Sequence, residues 1–238
     1  QDELAIFTTI SLHIIPAPRH LIRGLVGLYY GDTITWKIIV LLSWDSMDKI
    51  HFEKIKELHG DYASWAIWAD QDVKPKSNIG DLSILNPDQN NELLSKLKTN
   101  IILVALNFSR GGVRAPFANF HDSNSRGTDF KIRYALKDSP YWGGYMTDVI
   151  KNYTEKDSKK LMSYLKKNKP FEQENIESFL KELEDLKVDN PTIIAFGNDA
   201  YNVLIRNIGK YKILKIPHYA HQISKENYRN EVQSILNF

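Results

Sequence analysis

Apolar positions along residues 47–238 switch repeatedly between two spacings. Ile50, Ile55, Leu58 and Tyr62 recur at three to five residues and predict a helix over 49–62. Ser64 to Trp68 is a short apolar piece, and 70–91, with Pro75, Gly80 and Pro87, predicts a loop. After a helical turn over 92–98 comes the strongest strand in the chain, Asn100 to Asn107. Its unbroken apolar run, half of it β-branched, suits a strand covered on both faces. A Gly- and Arg-containing loop over 108–128 follows, then a helix over 129–137 and a second strand over 145–150. A Lys-rich helix spans 155–168, and Ile176, Phe179, Leu180, Leu183 and Leu186 predict another over 173–187. A third strand at 191–196, a short helix at 199–209, a fourth strand at 211–216 and a closing helix at 224–237 complete the pattern. Strands alternating with helices predict an α/β fold, a three-layer α/β/α arrangement around a mostly parallel four-stranded sheet.

The first 46 residues read differently. They hold seven of the sixty Asp, Glu, Lys and Arg residues and net −1, whereas 47–238 net +3. Asp2, Glu3, Pro16 and Pro18 do not suit a secretory signal, and the uncharged run Ile38–Trp44 is far below the ~20 residues a bilayer span needs. The expectation is an N-terminal accessory or non-native extension over 1–46, with translation starting at Met47 as one alternative, and a single α/β domain over 47–238. The expected setting is the cytoplasm, with no membrane partner and a monomeric chain. None of the 238 residues is cysteine, which excludes disulfide scaffolds, thiolate metal sites and a cysteine nucleophile. No metal or cofactor is expected. The net charge of +2 gives no whole-chain signal for a polyanion, so any nucleic-acid face must be local.

In such sheets ligands bind beyond the carboxyl ends of the strands. After the first strand, Asn107 to His121 supply an amide, basic groups, aromatics and a Gly-Gly turn, and Arg110, Arg114 and Arg126 give local positive charge. After the third, Gly197 permits a tight turn, and Asn198 or Asp199 suits the N-cap of the next helix. After the fourth come Pro217-His218-Tyr219-Ala220-His221, two imidazoles suited to acid–base or anion-stabilising work. Asp148 sits in an apolar strand, where a carboxylate needs a partner or a cleft. Phosphate-loop signatures of the Gly-x-Gly-x-x-Gly and Gly-x-x-x-x-Gly-Lys-[Ser/Thr] types are absent, as are a Gly-x-Ser-x-Gly elbow and a His-Glu-x-x-His pair.

Taken together the motifs over 95–238 resemble the uracil-DNA glycosylase superfamily. Leu106-Asn107-Phe108-Ser109 is similar to its Gly-x-Asn-Pro-[Gly/Ser] motif, and Pro116-Phe117-Ala118-Asn119 to its Pro-Phe-Ala segment. Tyr145-Met146-Thr147-Asp148-Val149-Ile150-Lys151 is similar to a Tyr-Ile-Thr-Asn-Ile-Val-Lys strand, Phe196-Gly197-Asn198 to a Phe-Gly-x turn, and Pro217-His218 to the start of the His-Pro-Ser motif. The resemblance implies a DNA glycosylase, a hydrolase of DNA repair and base excision that binds single- or double-stranded DNA and flips a base into a pocket. It implies Asn107 and His218 as catalytic residues, the first orienting water and the second donating to the departing base. Phe117, Phe120, Asp148 and Asn198 would contact the base, and Ser109, Arg110, Arg114, Arg126 and His221 the DNA. The chain departs from the pattern at Ala105, Phe108 and Tyr219-Ala220, and the cysteines of the cluster-bearing branch are missing. Asp148 stands where an Asn is expected. An ionised carboxylate only accepts, so uracil, which presents O4, is not the expected preference, whereas a protonated Asp148 would present a donor and an acceptor. Two other functions fit the residues: a non-catalytic nucleic-acid-binding relative of the same fold, and an unrelated α/β enzyme acting on a nucleotide.

Overall fold

The structure, a computed structural model, describes residues 47–108 and 115–238, together with the backbone of 26–30 and 33–37. The chain divides into two compact units, residues 1–45 and 46–238. In the first, strands β1 (Val26–Tyr30) and β2 (Thr33–Lys37) pair antiparallel, Tyr30 opposite Thr33.

The second unit is built on a five-stranded sheet, one more strand than the sequence predicts. The extra strand is β3 (Ser64–Trp65), two residues long and antiparallel to β5 (Gly144–Ile150). It lies within the apolar piece 64–68, too short for a two-residue period to show. The other four strands, β4 (Lys98–Asn107), β5, β6 (Thr192–Phe196) and β7 (Lys212–Ile216), are parallel, and the order across the sheet is β3-β5-β4-β6-β7. The continuous apolar run of β4 therefore occupies the centre, where both faces are covered.

The side chains of β4 divide by parity. Ile102, Val104 and Leu106 join one core with α1 (Lys49–His59), α4 (Ser158–Lys167), α5 (Lys169–Asp185) and α6 (Gly197–Ile208). Leu103 and Ala105 join the other with α3 (Phe130–Leu136) and α7 (Lys225–Leu236). A four-residue helix, α2 (Leu93–Lys96), leads into β4. The connection from β4 to β5 runs through α3, and those from β5 to β6 and from β6 to β7 run through helices of the opposite face. Movement in opposite directions across the sheet thus uses opposite faces, as a uniform right-handed crossover requires. The direction reverses between β4 and β6, which makes the gap beyond their carboxyl ends the topological switch point.

Helix starts follow local chemistry. Asp48, Asp157 and Ser224 cap α1, α4 and α7 by accepting from the backbone of His51, Lys159 and Asn227. The expected cap at Asn198 or Asp199 is corrected: α6 begins at Gly197, directly from Phe196, with no side-chain cap. Gly197, at φ +84°, makes this abrupt turn possible, and Asp199 falls in the first turn, where its charge favours the helix N-terminus. Likewise α5 begins at Lys169 rather than 173, with Pro170 in its first turn. Among the described residues no helix is long and apolar enough to cross a membrane.

Candidate functional site

A cleft of about 360 Å³ opens at the switch point. Its wall is Ala105, Leu106 and Asn107 from β4, Phe196 to Ala200 from the β6–α6 turn, Glu155, Lys156 and Ser158 ahead of α4, and His218 to Ala220 after β7. Three separately predicted residues, Asn107, Asn198 and His218, therefore share one cavity.

Asn107 is oriented by the segment following β5. Its Nδ2 donates to the carbonyls of Tyr153 (3.1 Å) and Glu155 (2.8 Å). Both partners are acceptors, so the amide nitrogen must face them, and the side-chain oxygen remains as an acceptor for a further donor. Asn107 can thus hold a water by its oxygen while the backbone fixes its plane.

His218 is set by the turn after β7. Its Nδ1 lies 3.1 Å from the backbone N–H of Ala220, which donates to it. An accepting Nδ1 places the ring proton of the neutral imidazole on Nε2. Burial lowers the imidazole pKa below its ordinary value, opposed in part by the Asp199 carboxylate. The ring is therefore neutral at neutral pH, with Nε2–H available to donate. It stacks on Tyr219, with centroids 4.4 Å apart and planes at 21°. The missing side chain of Gly197 also gives it room, since a Cβ there would stand 3.2 Å from the His218 Cβ. Asn198 is exposed at the rim and accepts from Lys215 Nζ at 2.9 Å.

The two phenylalanines expected to stack on a base lie elsewhere. Phe117 is 1% exposed and packs against Phe52 in the α1 core, with ring centroids 5.5 Å apart. Phe120 is 3% exposed and meets Phe196 and Tyr219, each at 6.3 Å, so it backs the cleft through Tyr219 rather than lining it. Both adopt left-handed backbone, φ +64° and +63°, which is unfavourable for a side chain of this size. Surrounding bonds hold them there. Phe117 N–H donates to Gly60 O, Ser64 Oγ to Phe117 O, and Trp68 Nε1 to Phe120 O. The aromatic side chains that do line the cleft are Phe196 and Tyr219, neither of which the sequence singles out as a base-contacting residue. Edge contact between them at 5.3 Å fixes Tyr219.

Asp148 is 2% exposed and does not line the cleft. It pairs in register with Ala105 of the cleft floor. Its Oδ2 accepts from Asn119 Nδ2 at 2.7 Å, and the same nitrogen donates to Tyr62 O. Burial pushes the carboxyl up to about 7, against the opposing pull of the Asn119 hydrogen bond and the Lys151 charge. Near neutral pH it therefore exchanges between acceptor-only and donor-plus-acceptor states. The strand's far face carries a second polar group. Glu182 of α5, fully buried, accepts from Tyr145 OH (2.6 Å) and Thr147 Oγ1 (2.9 Å) and pairs with Lys151 Nζ (2.7 Å). Lys151 also donates to Asp148 O, tying the end of β5 in place.

Among the expected DNA contacts, Ser109, Arg110 and Arg114 lie outside the described residues. Arg126 is exposed on the 121–129 loop, where its N–H donates to Asn124 Oδ1. His221 is exposed and lines a neighbouring hollow that shares His218 with the cleft, and its carbonyl accepts from Lys131 Nζ. Neither lines the cleft itself. No protein-family model, no curated protein and no solved structure matches the chain.

Proposed function

We propose that the protein is an N-glycosyl hydrolase of the DNA glycosylase type, working on a base turned out of the nucleic-acid stack into the switch-point cleft. The observation that carries this reading is the pairing of Asn107 and His218 in one cavity, one offering an oriented acceptor and the other a neutral imidazole with a free donor. Breaking an N-glycosidic bond leaves positive character on the sugar and negative charge on the departing base. A donor aimed at the base oxygen stabilises that charge where it develops, an effect typically worth ~3 kcal/mol. The Asn107 oxygen accepts a hydrogen bond from the attacking water and holds it towards the sugar carbon; the oxygen of that water bonds to the carbon as the glycosidic bond breaks, and the proton the water loses balances the negative charge on the departing base. Tyr219 supplies an aromatic surface beside the imidazole, and stacking of this kind gives ~1–3 kcal/mol per base. The resemblance to the uracil-DNA glycosylase superfamily points the same way. Asp148, which stands where that family places an amide, is held by Asn119 outside the cleft, so the choice of base rests with the cleft residues and not with this carboxylate.

The test is abasic-site formation on oligonucleotides carrying uracil, hypoxanthine, xanthine or modified bases. The native protein is expected to release at least one of these bases, and Asn107→Ala and His218→Ala to lower the single-turnover rate at least ~100-fold while DNA binding persists. Full activity in both variants would remove the site assignment, and release of none of these bases would remove the hydrolase reading.

A further inference from the structure

Helix α4 starts at the mouth of the cleft, and its outer face bears a row of lysines that the chemistry above does not use. Leu161 and Leu165 are buried against the sheet, whereas Lys159, Lys160, Lys166 and Lys167 are exposed. Seven residues are nearly two full turns, so Lys159 stands in line with Lys166 and Lys160 with Lys167, about 10.5 Å apart along the axis. Lys156, just ahead of the helix, lines the cleft wall. None of these five lysines forms an ion pair with a described residue. The nearby acids in sequence are used locally, since Glu155 accepts from Asp157 N and Asp157 from Lys159 N.

Helix physics does not account for this row. Lys166 and Lys167 suit the C-terminal turn, but Lys159 and Lys160 stand in the first turn, where the dipole disfavours cations and where α4 has no acidic residue. A helix face that only needs solubility carries interspersed signs, as α5 does with Lys169–Glu172 and Lys181–Asp185 pairs. A helix lying on a membrane would expose large apolar groups beside its lysines, and the apolar residues of α4 are buried or half-buried. The row is also held at a fixed place relative to the cleft. Tyr164 of α4 stacks on Tyr153 at 4.5 Å, and the Tyr153 carbonyl holds Asn107.

We propose that this face of α4 is a track for the phosphate backbone of the nucleic acid whose base enters the cleft, an assignment that rests on the nucleic-acid reading above. The spacing of about 10.5 Å corresponds to the rise of roughly three base pairs along a duplex axis, each 3.4 Å. Lysine suits the role, as a mobile point charge that contacts phosphates without reading sequence.

The experiment compares the native chain with the fourfold variant Lys159→Gln, Lys160→Gln, Lys166→Gln, Lys167→Gln. Binding of a fluorescent 20-mer, as duplex and as single strand, is titrated between 50 and 200 mM salt, with anionic phospholipid vesicles as a parallel probe. These side chains are exposed, so the variant is expected to keep its thermal transition, and Lys156 stays in place to leave the cleft intact. If all four lysines engage phosphates, the salt slope becomes shallower by about 3.6 for the duplex or about 2.8 for the single strand. An unchanged slope, native binding that does not depend on salt, absent DNA binding, or binding to vesicles in preference to DNA each overturns the track. The fates of the two readings separate. A shallower slope without base release by the native chain keeps the track and discards the hydrolase. Base release with an unchanged slope does the reverse.

Discussion

Asp148 shows how one side chain ties stability to pH. Its folded pKa of about 7 stands well above the ordinary carboxylate value because burial penalises the charge. Below about pH 4 both folded and unfolded chains hold the proton. Between there and about 7 the unfolded chain has released it and the folded chain has not, so stability falls as pH rises, and the loss is complete above the folded value. Asp148→Asn removes that slope, because an amide oxygen can still accept from Asn119 without carrying charge. The variant is expected to gain on the native protein as pH climbs from 5 to 8, by at least about 1 kcal/mol or roughly 2–4 °C in Tm for a chain of this size. Melting curves at a series of pH values check it, and parallel native and variant profiles would refute it. That this carboxylate needed a partner or a cleft was legible from its apolar strand. The partner was not, because Asn119 lies 29 residues earlier in a loop whose conformation depends on two left-handed phenylalanines.

Between elements, the docking of α5 on β5 rests partly on Glu182. The spacing of Ile176, Phe179 and Leu183 correctly assigns the inner side of that helix, yet Glu182 is more deeply buried than Leu183. A period of 3.6 marks a face and says nothing of a polar residue on its border that meets a hydroxyl from another strand. Tyr145, Thr147 and Lys151 converge on this carboxylate, so its removal leaves a buried ammonium without its counter-charge and two hydroxyls without their acceptor. Glu182→Ala is expected to cost about 3–5 kcal/mol in urea unfolding, with Glu182→Gln milder because its oxygen still accepts. A loss below about 1 kcal/mol in the alanine variant would show that the network contributes little. The same burial explains why Tyr145 is held in its phenol form, its pKa raised by desolvation and by the Glu182 charge.

Across the whole molecule, the central position of β4 was readable from its apolar continuity, but the order of its neighbours was not. Order depends on crossover hand and on which helix covers which face, and no local pattern encodes either. Strand β7 ends one side of the sheet with Lys212 and Lys215 exposed on it. Such charges discourage pairing with the edge of another molecule. Replacing both by valine is expected to raise light scattering at high protein concentration, and unaltered scattering would show that the edge is protected by other means. The same placement of β7 has a consequence in time. His218 follows the outermost strand, whereas Asn107 ends the central one, so the two meet only after β6 and then β7 have docked. A chain still being made, or one whose last strand and helix have locally opened, holds the oriented amide without the imidazole. If the proposed hydrolysis takes place in this cleft, it would begin only when the final edge closes, and turnover would serve as a reporter of the completed sheet rather than of its central strands.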